Sequence, residues 1–334
     1  LGQQAPLCHW QELNQILARI AELPTLSHER QNTMTILWKT TVLTLLLALT
    51  TLLPSQGLGG EGEKIRVLII DGQHNHAWRQ TTPFLKQVLE KSGRFEVAVS
   101  SNLKKDDKPG EVSTVPFPPD LTKYQVVISN YNGAAWPADF RKTFEELVRD
   151  GKLGFVLFHA ANNCFSEWTE FNRMIGMGWR NAKFGDRLYV DDAGKEVRLA
   201  KGEGANTGET NHPYAIVVRD AEHAITKGMP KEWLHAKDQL MHNLRGPAEE
   251  VRILATAFCP QTKFHEPIIW TVKFGKGRVV QTPMGHDVFA MRCLGFIATL
   301  QRSTEWAATG AITLALPENF PTADKASQLP LEKK

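Results

Sequence analysis

The chain has 334 residues, 42% hydrophobic and 22% charged, with 39 basic against 36 acidic side chains and a formal net charge of +3. That composition is globular, and it lacks the basic excess that would draw in nucleic acid, so no nucleic-acid partner is expected. Four cysteines without any CxxC spacing indicate neither a zinc ribbon nor a disulfide scaffold.

From Met34 the sequence runs MTILWKTTVLTLLLALTTLLPSQGLGG, with one positive residue, Lys39, an uncharged apolar run from Thr40 to Leu53, then Pro54 and small residues. This is the layout of a secretory signal peptide, and the run falls short of the roughly 20 residues that a membrane span needs. Residues 34–60 are therefore expected to form a leader cut near Gly57 or Gly60, and the protein to be exported to the periplasm or beyond. The alternative is an uncleaved signal anchor that keeps it on the membrane. Because a signal peptide works at a chain start, residues 1–33 are expected to be an upstream extension foreign to the mature protein. The globular domain is expected over 64–321, and a polar tail over 322–334.

IRVLIIDG (Ile65–Gly72) is a continuous apolar run rich in branched residues, as a strand buried on both faces requires. A helix follows in TTPFLKQVLEKSG, with Thr81 or Thr82 as cap, Pro83 in the first turn and Gly93 as stop. FEVAVSSN (Phe95–Asn102) and YQVVISN (Tyr124–Asn130) are further strands. Asp139–Asp150 is a helix that Gly151 ends, and LGFVLFHA (Leu153–Ala160) is the fourth strand. This order predicts an α/β fold, a parallel sheet with covering helices. The second half holds a short helix at Trp168–Ile175 and a hairpin across Asp191–Gly194. PYAIVVR, VRILATAF and the pair PIIWTVKF and GRVVQTPM follow, and these short strands with tight turns predict antiparallel additions to the sheet. Val288–Trp306 reads as one closing apolar helix.

In an open parallel sheet, ligands bind beyond the carboxyl ends of the strands. Here those ends deliver His74 and His76 after the first strand, Asn132 after the third, His159 with Asn162 and Asn163 after the fourth, and His286-Asp287 after the late strand. Each has an ordinary alternative: a solvated loop histidine, a core histidine bonded to backbone, or Asp287 as the cap of the last helix. Their convergence on one rim is the stronger reading. His74 and His76 have a spacing that two metal nitrogens can share, and His286-Asp287 suits acid/base work because imidazole titrates near neutrality. No GxSxG or GxGxxG occurs, so neither a hydrolase elbow nor a dinucleotide site is supported. Cys164 lies past the turn that would present a nucleophile.

DGQHNHAW, GFVLFHAANN, NHP (Asn211–Pro213), EPIIWTVKFGKGRVVQTPMGHD (Glu266–Asp287) and EWAATG (Glu305–Gly310) together resemble the ThuA-like, trehalose-utilisation family, from about Lys64 to Pro321. The resemblance implies a flavodoxin-like fold related to class I glutamine amidotransferases. Those enzymes hold a catalytic cysteine at the elbow where this chain has FHAAN, so glutaminase activity is not expected. The family's Asp-Glu-Leu-Tyr segment reads Asp238-Gln-Leu-Met241 here, which keeps Asp238 and loses the second acid. The resemblance further implies a small-molecule carbohydrate as ligand and a sugar dehydrogenase acting in the same pathway. The implied chemistry is cleavage or isomerisation of oxidised (3-keto) glycosides by a lyase, hydrolase or isomerase. On this reading His159, His286 and Asp287 are catalytic, and Asn132, Asn162, Asn163, Trp78 and Asp238 bind substrate. His74 and His76 would hold a divalent metal ion if the protein uses one. A non-catalytic carbohydrate-binding protein is the alternative, and a Cys164-dependent amidase a third.

Overall fold

The computed structural model describes residues 63–330. The expected upstream extension and leader lie outside the described residues, and among the described residues no helix is long and apolar enough to cross a membrane. Four strands build the parallel part: β1 (Ile65–Gly72), β2 (Phe95–Ser101), β3 (Val126–Tyr131) and β4 (Gly154–Phe158). They alternate with α1 (Trp78–Lys91) and α2 (Ala138–Arg149), and α3 (Thr169–Ile175) follows. The second half supplies the hairpin β5 (Arg187–Val190) and β6 (Glu196–Leu199), then β7 (Gly208–Val218), β8 (Glu232–His242), β9 (Val251–Cys259), β10 (Phe264–Phe274) and β11 (Gly277–Thr282). The chain closes with α4 (Val288–Met291) and α5 (Leu294–Thr309).

The sheet order is β2-β1-β3-β4-β11-β10-β9-β7-β8, parallel from β2 through β11 and antiparallel from there on. The α/β class, with helices on both faces and antiparallel additions in the C-terminal half, is thus as expected. Strand alternation sorts the branched residues between the faces. Val67, Ile69, Val126, Ile128 and Val280 pack with Leu85, Val88 and Leu89 of α1 and Phe296 and Leu300 of α5. Leu68, Ile70, Val127, Phe155 and Val279 pack with Phe140, Phe144 and Val148 of α2 and Phe171 of α3.

Three expectations are corrected. α1 begins at Trp78, so Thr81 and Thr82 lie inside the helix rather than capping it, and their hydroxyls accept from Asn130 Nδ2 at 3.0 and 2.9 Å. The closing helix is broken after Met291. Cys293 turns extended and bridges to Gln328, while the Leu294 N–H donates to the Ser327 carbonyl at 2.8 Å, so the final segment docks where a continuous helix would pass. β8 was not foreseen, because its buried positions change phase after His235, from Trp233 and His235 to Ala236, Asp238 and Leu240, so no single alternation runs through it.

Among the parallel strands β11 matters most for the site. It runs parallel to β4, with Val279 opposite Phe155 and Thr282 opposite Phe158. Its end therefore opens on the same rim as the ends of β1, β3 and β4.

Candidate active site

The turn after β4 places the first histidine. His159 opens a 3-10 turn, His159–Asn163, at φ +46, a left-handed conformation that a residue with a Cβ seldom adopts. Arg180 holds this turn from below: its buried guanidinium donates to the carbonyls of Asn162 and Asn163, both at 3.0 Å, and to that of Cys164. The loop after β1 places the second. Gly72 takes φ +98 with its α-carbon so close to the Asn102 carbonyl that a Cβ would lie 2.3 Å from the oxygen, and the chain turns out through Gln73 to His74 and His76. Gly285, at φ +99, turns the chain after β11 in the same way and delivers His286.

Three of these rings meet. His76 lies 4.8 Å from His159 and 4.7 Å from His286, centroid to centroid, and His159 lies 5.3 Å from His286, all edge to face. One nitrogen from each falls within 4.8 Å of the other two. His159 is buried, and its Nδ1 sits 2.9 Å from the Pro283 carbonyl. An acceptor there puts the ring proton on Nδ1 and leaves Nε2 a free lone pair. That Nε2 is buried and meets no hydrogen-bond partner. In His286, Nδ1 faces the Asp287 carboxylate at 3.3 Å, which likewise turns Nε2 into an acceptor. Histidines that hold a metal commonly carry this outward bond to a carbonyl or carboxylate.

Two of the three rings are held neutral. Burial drives His76 down to about 4, and the neighbouring His159 and His286 add to it against Asp238 and Asp287. Burial also lowers His159, with Asp238 and the Pro283 carbonyl opposing. Imidazoles crowded together, with nitrogens converging and one of them unsatisfied, fit a divalent ion of the zinc type, which nitrogen donors suit.

The remaining candidates are placed as follows. His74 stands beside His76, 5.3 Å between rings, but its Nδ1 accepts the His76 N–H at 2.9 Å, and it is not part of the converging trio. The metal-capable group therefore differs from the expected His74–His76 pair. Asp287 has a side chain 51% exposed; one oxygen caps α4 through the Ala290 N–H at 2.9 Å, and the other faces His286. Asn132 donates to Asn75 Oδ1 at 2.7 Å, and Asn163 has a buried Oδ1 without a partner. Asn162 is buried, accepting the Trp179 N–H at 3.1 Å and donating to Met241 Sδ at 3.5 Å. Trp78 is buried at the start of α1 beneath the Arg79 guanidinium.

Asp238 is fully buried and touches the backbone of Gly285 and His286, so it holds the site's loop rather than presenting itself to a ligand. Its partner His235 was missed by sequence reasoning. The signal was an H-x-x-D spacing in a stretch not recognised as a strand. Cys164 is buried, donates to the Tyr131 carbonyl at 2.9 Å, and is pushed by burial up to about 12, so it is a poor nucleophile.

The sequence matches the family described as ThuA, trehalose utilisation, over residues 66–307. Among solved structures, a ThuA-like protein from Parabacteroides merdae ATCC 43184 is 38% identical, with a TM-score of 0.73, covering 80% of this chain and 98% of that one. A ThuA-like protein from Bacteroides uniformis ATCC 8492 is 17% identical with a TM-score of 0.50, covering 76% and 97%, and shares the fold. No curated protein matches the chain. The chain belongs to the ThuA (trehalose utilisation) family, a family of carbohydrate utilisation.

Proposed function

We propose that this protein is a sugar-modifying enzyme that cleaves or isomerises oxidised (3-keto) glycosides at the His76–His159–His286 cluster. The observation that carries the reading is the convergence of three imidazole nitrogens within 4.8 Å on the rim where parallel sheets bind ligands. The substrate class comes from the family's carbohydrate role joined to the carboxylates the site offers. Direct glycoside hydrolysis uses two carboxyl groups flanking the bond. Here Asp287 is the exposed carboxylate, while Asp238 is sealed beneath the loop. A ketone at C3 removes the need for a second, because it acidifies the C2 proton.

The step balances without redox change. The Asp287 carboxylate takes the proton from C2; the electron pair moves to form the C1–C2 double bond through the enolate, and the C1–O bond breaks. The departing oxygen receives the proton from Asp287, and water adding across the double bond gives the free keto sugar. Returning the proton to the neighbouring carbon instead gives isomerisation. His76, His159 and His286 would hold a divalent ion, whose chemistry would be to polarise the ketone oxygen. Asn132, bonded to Asn75 of the β1 loop, and Asn163, in the turn that His159 opens, would offer polar ends to sugar hydroxyls. The ketone would be installed beforehand by a sugar dehydrogenase.

The test offers a 3-keto-disaccharide to the purified protein, with bound metal measured and chelator added. Turnover lost in His159→Ala and lowered about 10²–10⁴-fold in Asp287→Asn is expected, the range for a removed acid/base group. Tight sugar binding without turnover in the parent would instead make it a carbohydrate-binding protein.

A further inference from the structure

Beneath the rim lies a second histidine–carboxylate pair that contributes no atom to the three-histidine cluster. His235 and Asp238, both with side chains 0% exposed, face each other across β8 with Nε2 2.9 Å from Oδ2. The same carboxylate accepts three backbone N–H groups: Gly285 on Oδ2 at 2.7 Å, and His286 and Gln239 on Oδ1 at 3.1 and 2.8 Å. Two of the three are consecutive amides of the loop after β11. That loop has no strand neighbour at this point, and Gly285 turns it so tightly that a Cβ would lie 2.8 Å from the Phe296 ring. Two adjacent amides bound to the two oxygens of one carboxylate are fixed both in position and in rotation. His286 follows directly from them.

We propose that Asp238, oriented by His235, is a positioning residue that clamps the Gly285–His286 backbone and so fixes the His286 imidazole within the cluster; the inference rests on the reading of that cluster as the reactive centre. The chemistry demands a carboxylate. Four donors converge on two oxygens, and an asparagine would turn its NH₂ against the N–H groups on one side. A buried acid sealed among donors is costly to disturb. Its use of both oxygens follows if the loop's geometry is what it secures.

The experiment compares Asp238→Asn, His235→Gln and His235→Phe with the parent. Hydrogen exchange of the Gly285 and His286 amides is followed in chelator-treated protein, and zinc affinity is measured by competition with a chromogenic chelator. Asp238→Asn is expected to speed exchange at both amides and weaken zinc binding by about 10–100-fold, the usual effect of losing an outer partner of a ligand. His235→Gln, which can still donate to Asp238, should keep most of the affinity, and His235→Phe should lose it. Unchanged exchange in Asp238→Asn, or equal losses in the two His235 variants, would overturn the clamp. If Asp238→Asn does not fold, the His235 pair decides. A parent that binds no zinc sinks the metal reading of the cluster, and amide exchange still judges the clamp.

Discussion

His76 stands edge-on to His286 with ring centroids 4.7 Å apart, although one residue follows β1 and the other follows β11. His74, two residues from His76, spends its Nδ1 on the His76 amide. The two histidines of the β1 loop therefore differ in kind. His76→Ala should abolish stoichiometric zinc binding, whereas His74→Ala should keep the stoichiometry and weaken the affinity by about 10–100-fold, as removal of an outer partner does. Equal losses in competition titrations would return the metal role to the His74–His76 pair.

Gly285 is the tightest point of the loop that carries His286. At φ +99 with Phe296 2.8 Å from an ideal Cβ, alanine must displace either the turn or the ring. Gly285→Ala is expected to destabilise the fold by about 1–3 kcal/mol in urea denaturation, the cost of a strained backbone position. Activity should fall further than that destabilisation explains. A variant as stable and as active as the parent would show that the loop tolerates movement.

Cys164 separates the sugar chemistry from thiol chemistry. Buried, bonded to the Tyr131 carbonyl and pushed up to about 12, it should resist iodoacetamide in the native state. Cys164→Ser should retain turnover. Rapid labelling, coupled to loss of activity, would restore the amidase reading.

Asp71, at the end of β1, gives a pH signature. Burial raises its carboxyl from 3.8 to about 6, against the bond from Ser101 Oγ to Oδ1 at 2.6 Å, and Oδ2 is buried without a partner. The folded state therefore holds this proton more tightly than the unfolded state does. Stability from this group is full below about pH 4 and is lost as pH rises through 6, by about 3 kcal/mol. Asp71→Asn lacks that loss, so the stability difference between parent and variant should change by this amount between pH 4 and pH 7. Parallel curves in urea denaturation would refute it.

The parallel half of the fold was legible because its strands are buried on both faces and read as unbroken apolar runs: IRVLIIDG and GFVLF need no partner to be recognised. The same rule located the rim, and with it His76, His159 and His286, since strand ends are local features. Local residue pattern therefore established the class, the order of the first strands and the residue types gathered at their carboxyl ends. β8 escaped because its alternation changes phase between His235 and Ala236, and an 11-residue strand of that kind is specified by pairing with β7. Tertiary structure alone decided which histidines touch, since His74 and His76 are equivalent by spacing and only the position of the β11 loop selects one. It also decided that Asp238 faces inward to two amides rather than outward to a ligand. The physical reason is that a side chain's partners depend on distant backbone brought close by burial, and no local propensity carries that information.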